Sequence, residues 1–177
     1  MTNFINFITI ARTLLAPIIL VFLIFGNYLV CVLLFFLAGL TDYYDGYLAR
    51  KYNAESELGE ILDPIADKIL IVFILIGLSV ELDSQLMAFL SSLIIAREIG
   101  VAALRDYSAR NNLSDRTKVT FLAKAKTSIQ LLTIGLYLLA LAISFNLLVI
   151  ISDIFLIIAT LITLYTGYQY ILNVFRK

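Results

Sequence analysis

Residues 42–50 read Asp-Tyr-Tyr-Asp-Gly-Tyr-Leu-Ala-Arg, and residues 59–67 read Gly-Glu-Ile-Leu-Asp-Pro-Ile-Ala-Asp. These two stretches place four aspartates in a chain that is otherwise strongly apolar. Asp42 and Asp45 are three residues apart, and Asp63 and Asp67 are four apart, so each pair would share one face of a helix. An uncompensated carboxylate at membrane depth costs roughly 3 kcal/mol on insertion scales. The acidic cluster is therefore the candidate functional site.

Four carboxylates offer the oxygen ligands that a hard divalent cation prefers, with Mg²⁺ expected before Mn²⁺ or Ca²⁺. Two such cations about 4 Å apart would clamp a transferring phosphoryl group, and one aspartate could accept a proton from an attacking hydroxyl. The alternative interpretation is structural. The aspartates would then be helix-end carboxylates paired with Arg50 and Lys68, and Asp63 alone would be a helix N-cap.

The composition indicates an integral membrane protein. Of the 177 residues, 62% are hydrophobic and 15% are charged, and the mean hydropathy is +0.98. Soluble domains are nearer to about 45–50% apolar and about 25% charged. The chain contains no histidine, which excludes His-based catalysis and His metal ligands. The single cysteine, Cys31, lies in an apolar run and is expected to be helix filler.

Apolar stretches predict an all-α integral membrane protein, a six-transmembrane-helix bundle that forms one domain over residues 1–177. The predicted helices cover about 7–25, 28–50, 63–80, 86–106, 121–144 and 147–174. Asp63 followed by Pro64 predicts the start of the third helix, as N-cap and first helical residue.

The placement of the charges predicts the orientation. With six spans, both termini and the loops 51–62 and 107–120 face one side, and all 13 Lys and Arg residues lie on that side or in the adjacent helix halves. The opposite turns hold Glu81 and Asp83. The positive-inside rule then places both termini and the acidic cluster on the cytoplasmic side of the cytoplasmic (inner) membrane.

A second, basic group is predicted on the cytoplasmic halves of the fourth and fifth helices, formed by Arg97, Arg105, Lys124 and Lys126. A pocket of fixed cations beside a metal centre is what a small phosphorylated substrate would need. Snorkelling to the membrane interface is the alternative for Arg105 and the two lysines, and Glu98 could neutralise Arg97.

The acidic stretches fill every fixed position of the pattern Asp-x2-Asp-Gly-x2-Ala-Arg-x8-Gly-x3-Asp-x3-Asp, from Asp42 to Asp67. This pattern resembles the signature of the CDP-alcohol phosphatidyltransferases, which join CDP-diacylglycerol or another CDP-alcohol to an acceptor alcohol. Residues 6–12, 62–68, 95–105 and 124–130 look like the bacterial phosphatidylglycerophosphate synthase branch of that family. Ile5 and Ala123 depart from that branch, where proline and glycine are usual.

The resemblance implies roles for individual residues. Asp42, Asp45, Asp63 and Asp67 would hold two Mg²⁺ ions, or Mn²⁺, and Asp67 would also be the general base. The CDP part of CDP-diacylglycerol would contact a second set: Gly39, Thr41, Asp42, Gly46, Ala49 and Arg50. The phosphate of sn-glycerol 3-phosphate would contact Arg97, Arg105, Lys124 and Lys126. Such enzymes are commonly homodimers in membrane lipid, and no nucleic-acid partner is expected.

The implied reaction transfers the phosphatidyl group of CDP-diacylglycerol to sn-glycerol 3-phosphate, giving phosphatidylglycerol phosphate and CMP. Direct attack is the simpler assumption, because the two acidic stretches, residues 42–50 and 59–67, contain no serine or cysteine. The acceptor could instead be phosphatidylglycerol, as in a cardiolipin-type synthase, or inositol phosphate or serine. The four-cation pocket favours a small phosphorylated acceptor. An alternative of a different class is a divalent-cation transporter, for which acids near mid-bilayer with access from both sides would be expected.

Overall fold

The structure is a computed structural model that describes residues 2–52, 57–111 and 121–175. It contains six helices, as the sequence predicted: α1 (Thr2–Ile24), α2 (Tyr28–Tyr52), α3 (Glu57–Glu81), α4 (Gln85–Arg110), α5 (Phe121–Ala142) and α6 (Asn146–Phe175). No strand occurs within these described ranges. The predicted all-α fold class is confirmed.

The predicted start of the third helix is wrong. α3 begins at Glu57, so Asp63 and Pro64 lie inside the helix and Asp63 is not its N-cap. The residues before this pair include Glu, Leu and Ile, whose helix propensities favour continuing the helix upstream. Pro64 is the eighth residue of α3, so it removes one backbone donor inside the helix rather than in its first turn, and the helix continues through it. α4 also continues to Arg110, one turn past its predicted end.

The turns between the helices follow from local chemistry. Gly26 has φ +71°, a left-handed conformation that glycine adopts without steric cost, and it ends α1. Its N–H donates to the Leu23 carbonyl at 3.0 Å, and the Asn27 N–H donates to the Phe22 carbonyl at 2.9 Å. α4 begins after Ser84, whose hydroxyl accepts a hydrogen bond from the Met87 N–H at 3.2 Å.

The neighbour relations of the helices define a closed ring. Within the described residues, close backbone contacts join α1 with α2, α2 with α5, α5 with α6, α6 with α4, α4 with α3 and α3 with α1. α3 also contacts α5 across the ring. α4 and α5 have no close backbone contact within those ranges, so they face each other across a space bounded by α3 and α6. This space matters for the site described below.

The bundle has an apolar surface, and several polar side chains are buried beside its apolar core. Large apolar side chains on its surface are more than half exposed, including Leu14, Phe36, Phe89 and Leu161. Charged and polar side chains are buried in its interior, including Arg12, Lys126, Gln130 and Thr163. The extensive apolar surface and the buried charged side chains fit a lipid environment, where polar groups face the interior of the bundle.

Three described helical segments are long and apolar enough to cross a membrane: Gln85–Arg110, Ala125–Ala142 and Asn146–Phe175. Thr9–Ile24 and Tyr28–Asp42 are shorter apolar helical segments. These segments agree with the predicted membrane protein. The count of six spans and the cytoplasmic side of the site remain predictions.

The end of the bundle at the α1–α2, α3–α4 and α5–α6 turns is joined by two tyrosine–carboxylate hydrogen bonds. The Tyr28 hydroxyl donates to the Glu81 carboxylate, which connects the start of α2 to the end of α3. The Tyr137 hydroxyl donates to Asp153 Oδ1 at 2.5 Å, which connects α5 to α6. The buried Cys31 packs in the apolar core, as expected for helix filler. The acidic and basic sequence motifs lie in the helix halves toward the other end.

Candidate active site

The first part of the site is an ionic contact between three helices. Arg12 of α1 has a side chain that is only 1% exposed, and its Nη1 forms an ion pair with Asp42 Oδ1 of α2. The same nitrogen lies 3.3 Å from Asp67 Oδ1 of α3. A buried guanidinium needs carboxylate partners, because desolvating an isolated charge costs several kcal/mol. Two of the predicted aspartates, from different helices, therefore meet at one cationic nitrogen.

This contact also tests whether the residues fit a metal ion. The Asp42 and Asp67 side chains are 51% and 43% exposed, so their carboxylates border an opening. Their oxygens already surround one positive charge, and carboxylate oxygens are the donors that a hard divalent cation prefers. The donor set fits Mg²⁺ or Mn²⁺. The metal-ligand roles remain predictions.

The structure describes the side chains of only some of the other residues predicted for this part of the site. The side-chain positions of Asp45, Gly46, Ala49, Arg50, Asp63 and Lys124 lie outside the described residues. The described side chains include no group of three or more carboxylate or cysteine metal ligands. On α2, a Cβ placed on Gly39 would meet nothing within 4 Å, which leaves open space there. The Thr41 hydroxyl donates to the Ala38 carbonyl at 2.8 Å.

The second part of the site is a buried ionic cluster between α4, α5 and α6. The Glu98 carboxylate accepts a hydrogen bond from Lys126 Nζ and forms an ion pair with Arg97 Nη1 at 3.2 Å. Arg97 Nη2 also donates to Thr166 Oγ1 of α6 at 2.9 Å. The Lys126–Glu98 contact spans the space between α4 and α5, so long side chains join two helices whose backbones are not adjacent.

Arg105 joins this cluster through an aromatic ring. Its Nη2 donates to the Tyr170 hydroxyl at 2.9 Å, and its Cζ lies 5.2 Å from the centre of the Tyr170 ring. Arg97 Cζ lies 5.9 Å from the same centre, so both guanidiniums are within cation–π range of the ring. Arg97, Arg105, Lys126 and Glu98 form what we call the basic cluster. Three cations and one carboxylate give it a net charge of +2.

Two nitrogens of the basic cluster point to an anionic ligand. Arg97 Nε and Arg105 Nε are both buried, and neither has a hydrogen-bond partner within the part of the chain that the structure describes. A buried donor without a partner costs about 1–3 kcal/mol. A ligand with several acceptor oxygens, such as a phosphate, would satisfy both nitrogens. Three of the four predicted phosphate-binding residues are therefore brought together, while Lys124 lies outside the described side chains.

The sequence interpretation missed the contribution of α6. Thr163, Thr166 and Tyr170 are spaced three and four residues apart, which places them on one face. All three are buried, and Thr163 Oγ1 accepts from Gln130 Nε2 at 3.0 Å. Polar residues at helical spacing within an apolar helix are the signal that could have identified this face. Arg12 lies in the segment 6–12 of the family resemblance, which implied no role for it.

Arg97 also depends on a glycine. A Cβ built on Gly167 of α6 would lie 2.9 Å from Arg97 Cγ and 3.2 Å from Arg97 Nε, so the missing side chain makes room for Arg97. Next to this contact, α4 and α6 border a cavity of about 600 Å³. Its lining is largely apolar, with Arg97 as the charged residue in it. Such a lining suits a hydrocarbon chain rather than a polar ligand.

Comparison with known proteins decides the family. The family model described as CDP-alcohol phosphatidyltransferase matches residues 2–166, which is nearly the whole chain. The chain belongs to the CDP-alcohol phosphatidyltransferase family. It is therefore an enzyme of the transferase class, which argues against the divalent-cation transporter considered above.

Among its relatives are bacterial CDP-alcohol phosphatidyltransferases that carry one name, CDP-diacylglycerol–glycerol-3-phosphate 3-phosphatidyltransferase. The protein from Rickettsia typhi is 38% identical over 174 residues, which are 96% of each chain. That from Rickettsia felis is 39% identical over 172 residues, 95% of this chain and 93% of the relative. That from Haemophilus influenzae is 33% identical over 172 residues, 93% and 89% of the two chains. The predicted resemblance to this branch is confirmed.

Proposed function

We propose that this protein transfers the phosphatidyl group of CDP-diacylglycerol to sn-glycerol 3-phosphate and releases CMP. The observation that carries the proposal is the basic cluster, whose net charge is +2. A phosphate monoester carries about −1.5 to −2 at neutral pH, so the acceptor phosphate matches that charge. Serine has no phosphate, and phosphatidylglycerol has a phosphodiester with a single charge. The acceptor in the relatives' name supports the same choice.

The donor side of the site is proposed to lie on α2 and α3. Asp42, Asp45, Asp63 and Asp67 would hold two divalent cations, Mg²⁺ or Mn²⁺. When bound, these cations would neutralise the negative charge that develops on the diphosphate and on the departing CMP. The convergence of Asp42 and Asp67 on one cationic nitrogen supports this assignment. The CDP group would contact α2 at Gly39 and Thr41 and at four positions of the family pattern: Asp42, Gly46, Ala49 and Arg50.

The chemical step follows from these positions. Arg97, Arg105, Lys124 and Lys126 would hold the phosphate of the acceptor, so that its 1-hydroxyl points toward the acidic helices. Asp67 would take the proton from that hydroxyl. The hydroxyl oxygen then bonds to the β-phosphorus of CDP-diacylglycerol, the bond to the bridging oxygen breaks, and CMP leaves with that electron pair. The product is phosphatidylglycerol phosphate.

The proposal includes the surroundings of the enzyme. We place it in the cytoplasmic membrane as one multi-pass domain, with both termini and the site on the cytoplasmic side. The distribution of Lys and Arg along the chain supports this orientation. A homodimer is proposed from the family resemblance alone.

An acceptor panel tests the proposal. Purified protein in detergent would receive CDP-diacylglycerol, Mg²⁺ and one acceptor at a time: sn-glycerol 3-phosphate, inositol 1-phosphate, serine or phosphatidylglycerol. CMP release is the readout, and a parallel series contains EDTA. We expect release with sn-glycerol 3-phosphate that EDTA abolishes. Release with a different acceptor would keep the reaction type and reject the acceptor, and release that survives EDTA would reject the metal ions.

A further inference from the structure

Arg12 occupies an unusual place in its helix. It is the single charged residue of α1, and its side chain is almost completely buried. Its Nη1 contacts Asp42 Oδ1 and lies 3.3 Å from Asp67 Oδ1, so one nitrogen serves two carboxylates from two helices. A guanidinium cannot lose its proton in a protein, so this positive charge is permanent.

We propose that Arg12 is a positioning residue that stands in for a metal ion between Asp42 and Asp67, and that it releases these carboxylates when metal binds. The inference rests on the proposed function, in which these aspartates hold divalent cations. Without any cation between them, the two carboxylates would repel each other, and α2 and α3, which have no close backbone contact within the described residues, would lose the link between them. Arg12 keeps them together in the metal-free enzyme.

Competition follows from the atoms involved. Arg12 Nη1 contacts one Oδ1 atom on each aspartate, and a divalent cation held by the same two carboxylates, through Oδ1 or Oδ2, would lie beside the guanidinium. A guanidinium and a metal ion in contact with the same carboxylates would repel each other. Metal binding therefore requires Arg12 to give up at least one of its two partners. The cost of that exchange weakens the apparent affinity of the site for metal.

A purely structural role predicts something different. In that case the ion pairs would simply attach α1 to α2 and α3, and they would persist whether or not metal is bound. Removing Arg12 would then lower the melting temperature equally in EDTA and in Mg²⁺. The stand-in role predicts that removing Arg12 lowers the melting temperature in EDTA and that saturating Mg²⁺ restores it, because the metal replaces the missing charge.

The experiment measures thermal unfolding of the full chain in detergent, in EDTA and over a Mg²⁺ titration. Arg12→Met keeps the length of the side chain and removes its charge, and Arg12→Lys keeps the charge on a more flexible side chain. We expect Arg12→Met to melt at a lower temperature in EDTA and to regain the difference in Mg²⁺. The Mg²⁺ concentration for half-maximal stabilisation should fall on the order of tenfold, the effect of one competing unit charge. The Mg²⁺ requirement of Arg12→Lys should lie between those of Arg12→Met and the wild-type protein.

Arg110→Met is the matched control, because its ion pair with Asp106 is on the surface. It should leave the Mg²⁺ requirement unchanged. An equal melting loss in EDTA and Mg²⁺, or a raised Mg²⁺ requirement in Arg12→Met, would overturn the inference. If Arg12→Met does not fold in either condition, Arg12→Gln, which also removes the charge, takes its place, and an unaltered Mg²⁺ requirement in that variant would overturn the inference. A wild-type protein that Mg²⁺ does not stabilise would reject the proposed metal site itself.

Discussion

Replacing Lys126 with methionine tests the basic cluster most directly. Lys126 is buried, its Nζ bonds to Glu98, and methionine preserves most of its volume. The substitution lowers the net charge of the cluster from +2 to +1 and leaves Glu98 paired with Arg97. A hydrogen bond between charged groups contributes about 1.5–3 kcal/mol. A tenfold change in KM corresponds to about 1.4 kcal/mol. Losing one such hydrogen bond to the acceptor phosphate should therefore raise the KM for the acceptor by about 10- to 150-fold.

The assay is steady-state CMP release, with each substrate varied while the other is saturating. We expect the KM for sn-glycerol 3-phosphate to rise and the KM for CDP-diacylglycerol to change less than about threefold, the effect of a contact worth under about 0.7 kcal/mol. Arg110→Met is again the matched control, because it removes one cation whose exposed ion pair contributes about 0–1 kcal/mol. It should leave both values unchanged.

Two results would refute the reasoning about Lys126. An unchanged KM for sn-glycerol 3-phosphate would mean that the basic cluster does not contact the acceptor. Equal increases in both KM values would mean that Lys126 supports the whole site rather than one substrate. Thermal unfolding of the variant, measured beside the kinetics, separates these results from simple loss of the folded protein.

The other predictions use the same CMP-release assay. Asp67→Asn should lower turnover about 10²- to 10⁴-fold and retain CDP-diacylglycerol binding, and normal turnover would remove Asp67 as the base. Gly167→Ala places a Cβ 2.9 Å from Arg97 Cγ, so the KM for the acceptor should rise, and an unchanged value would contradict that contact. Tyr170→Phe removes the acceptor of the Arg105 hydrogen bond, which is worth about 1 kcal/mol, so the acceptor KM should rise about fivefold. Tyr170→Leu also removes the ring between the guanidiniums and should raise that KM further.

The sequence predicted most of the fold because lipid imposes strong constraints on it. Helix number and four of the six helix starts could be read, to within one residue, from apolar stretches long enough to span, whereas α1 begins at Thr2, about five residues before its predicted start. The start of α3 was misplaced, because Asp63-Pro64 is a good local helix start while the upstream residues favour helix as well. Local signals cannot decide between two acceptable starts when the packing of the whole helix makes the choice.

The sequence predicted which residues form the candidate site but not the contacts that join them. Arg97, Arg105 and Lys126 could be proposed from their depth in apolar helices. The contacts that join them through Glu98 could not be predicted, because only the order of the helices in the ring brings α4 and α5 opposite each other. Arg12 was missed for the same reason. A lone arginine in an apolar helix indicates a buried partner, but the sequence does not say which helix supplies it.

The turn between α3 and α4 separates two halves of the chain that would bind different substrates. Under the proposed function, residues before this turn recognise the nucleotide and diphosphate of the donor, and residues after it recognise the alcohol. Selectivity for the alcohol can therefore change through substitutions in α4–α6 while the acidic helices keep the same chemistry. A chimera of residues 1–81 with the later helices of a relative that uses another alcohol should inherit the acceptor choice of that relative. Such a division would let one chemical step serve several headgroups in membrane lipid synthesis.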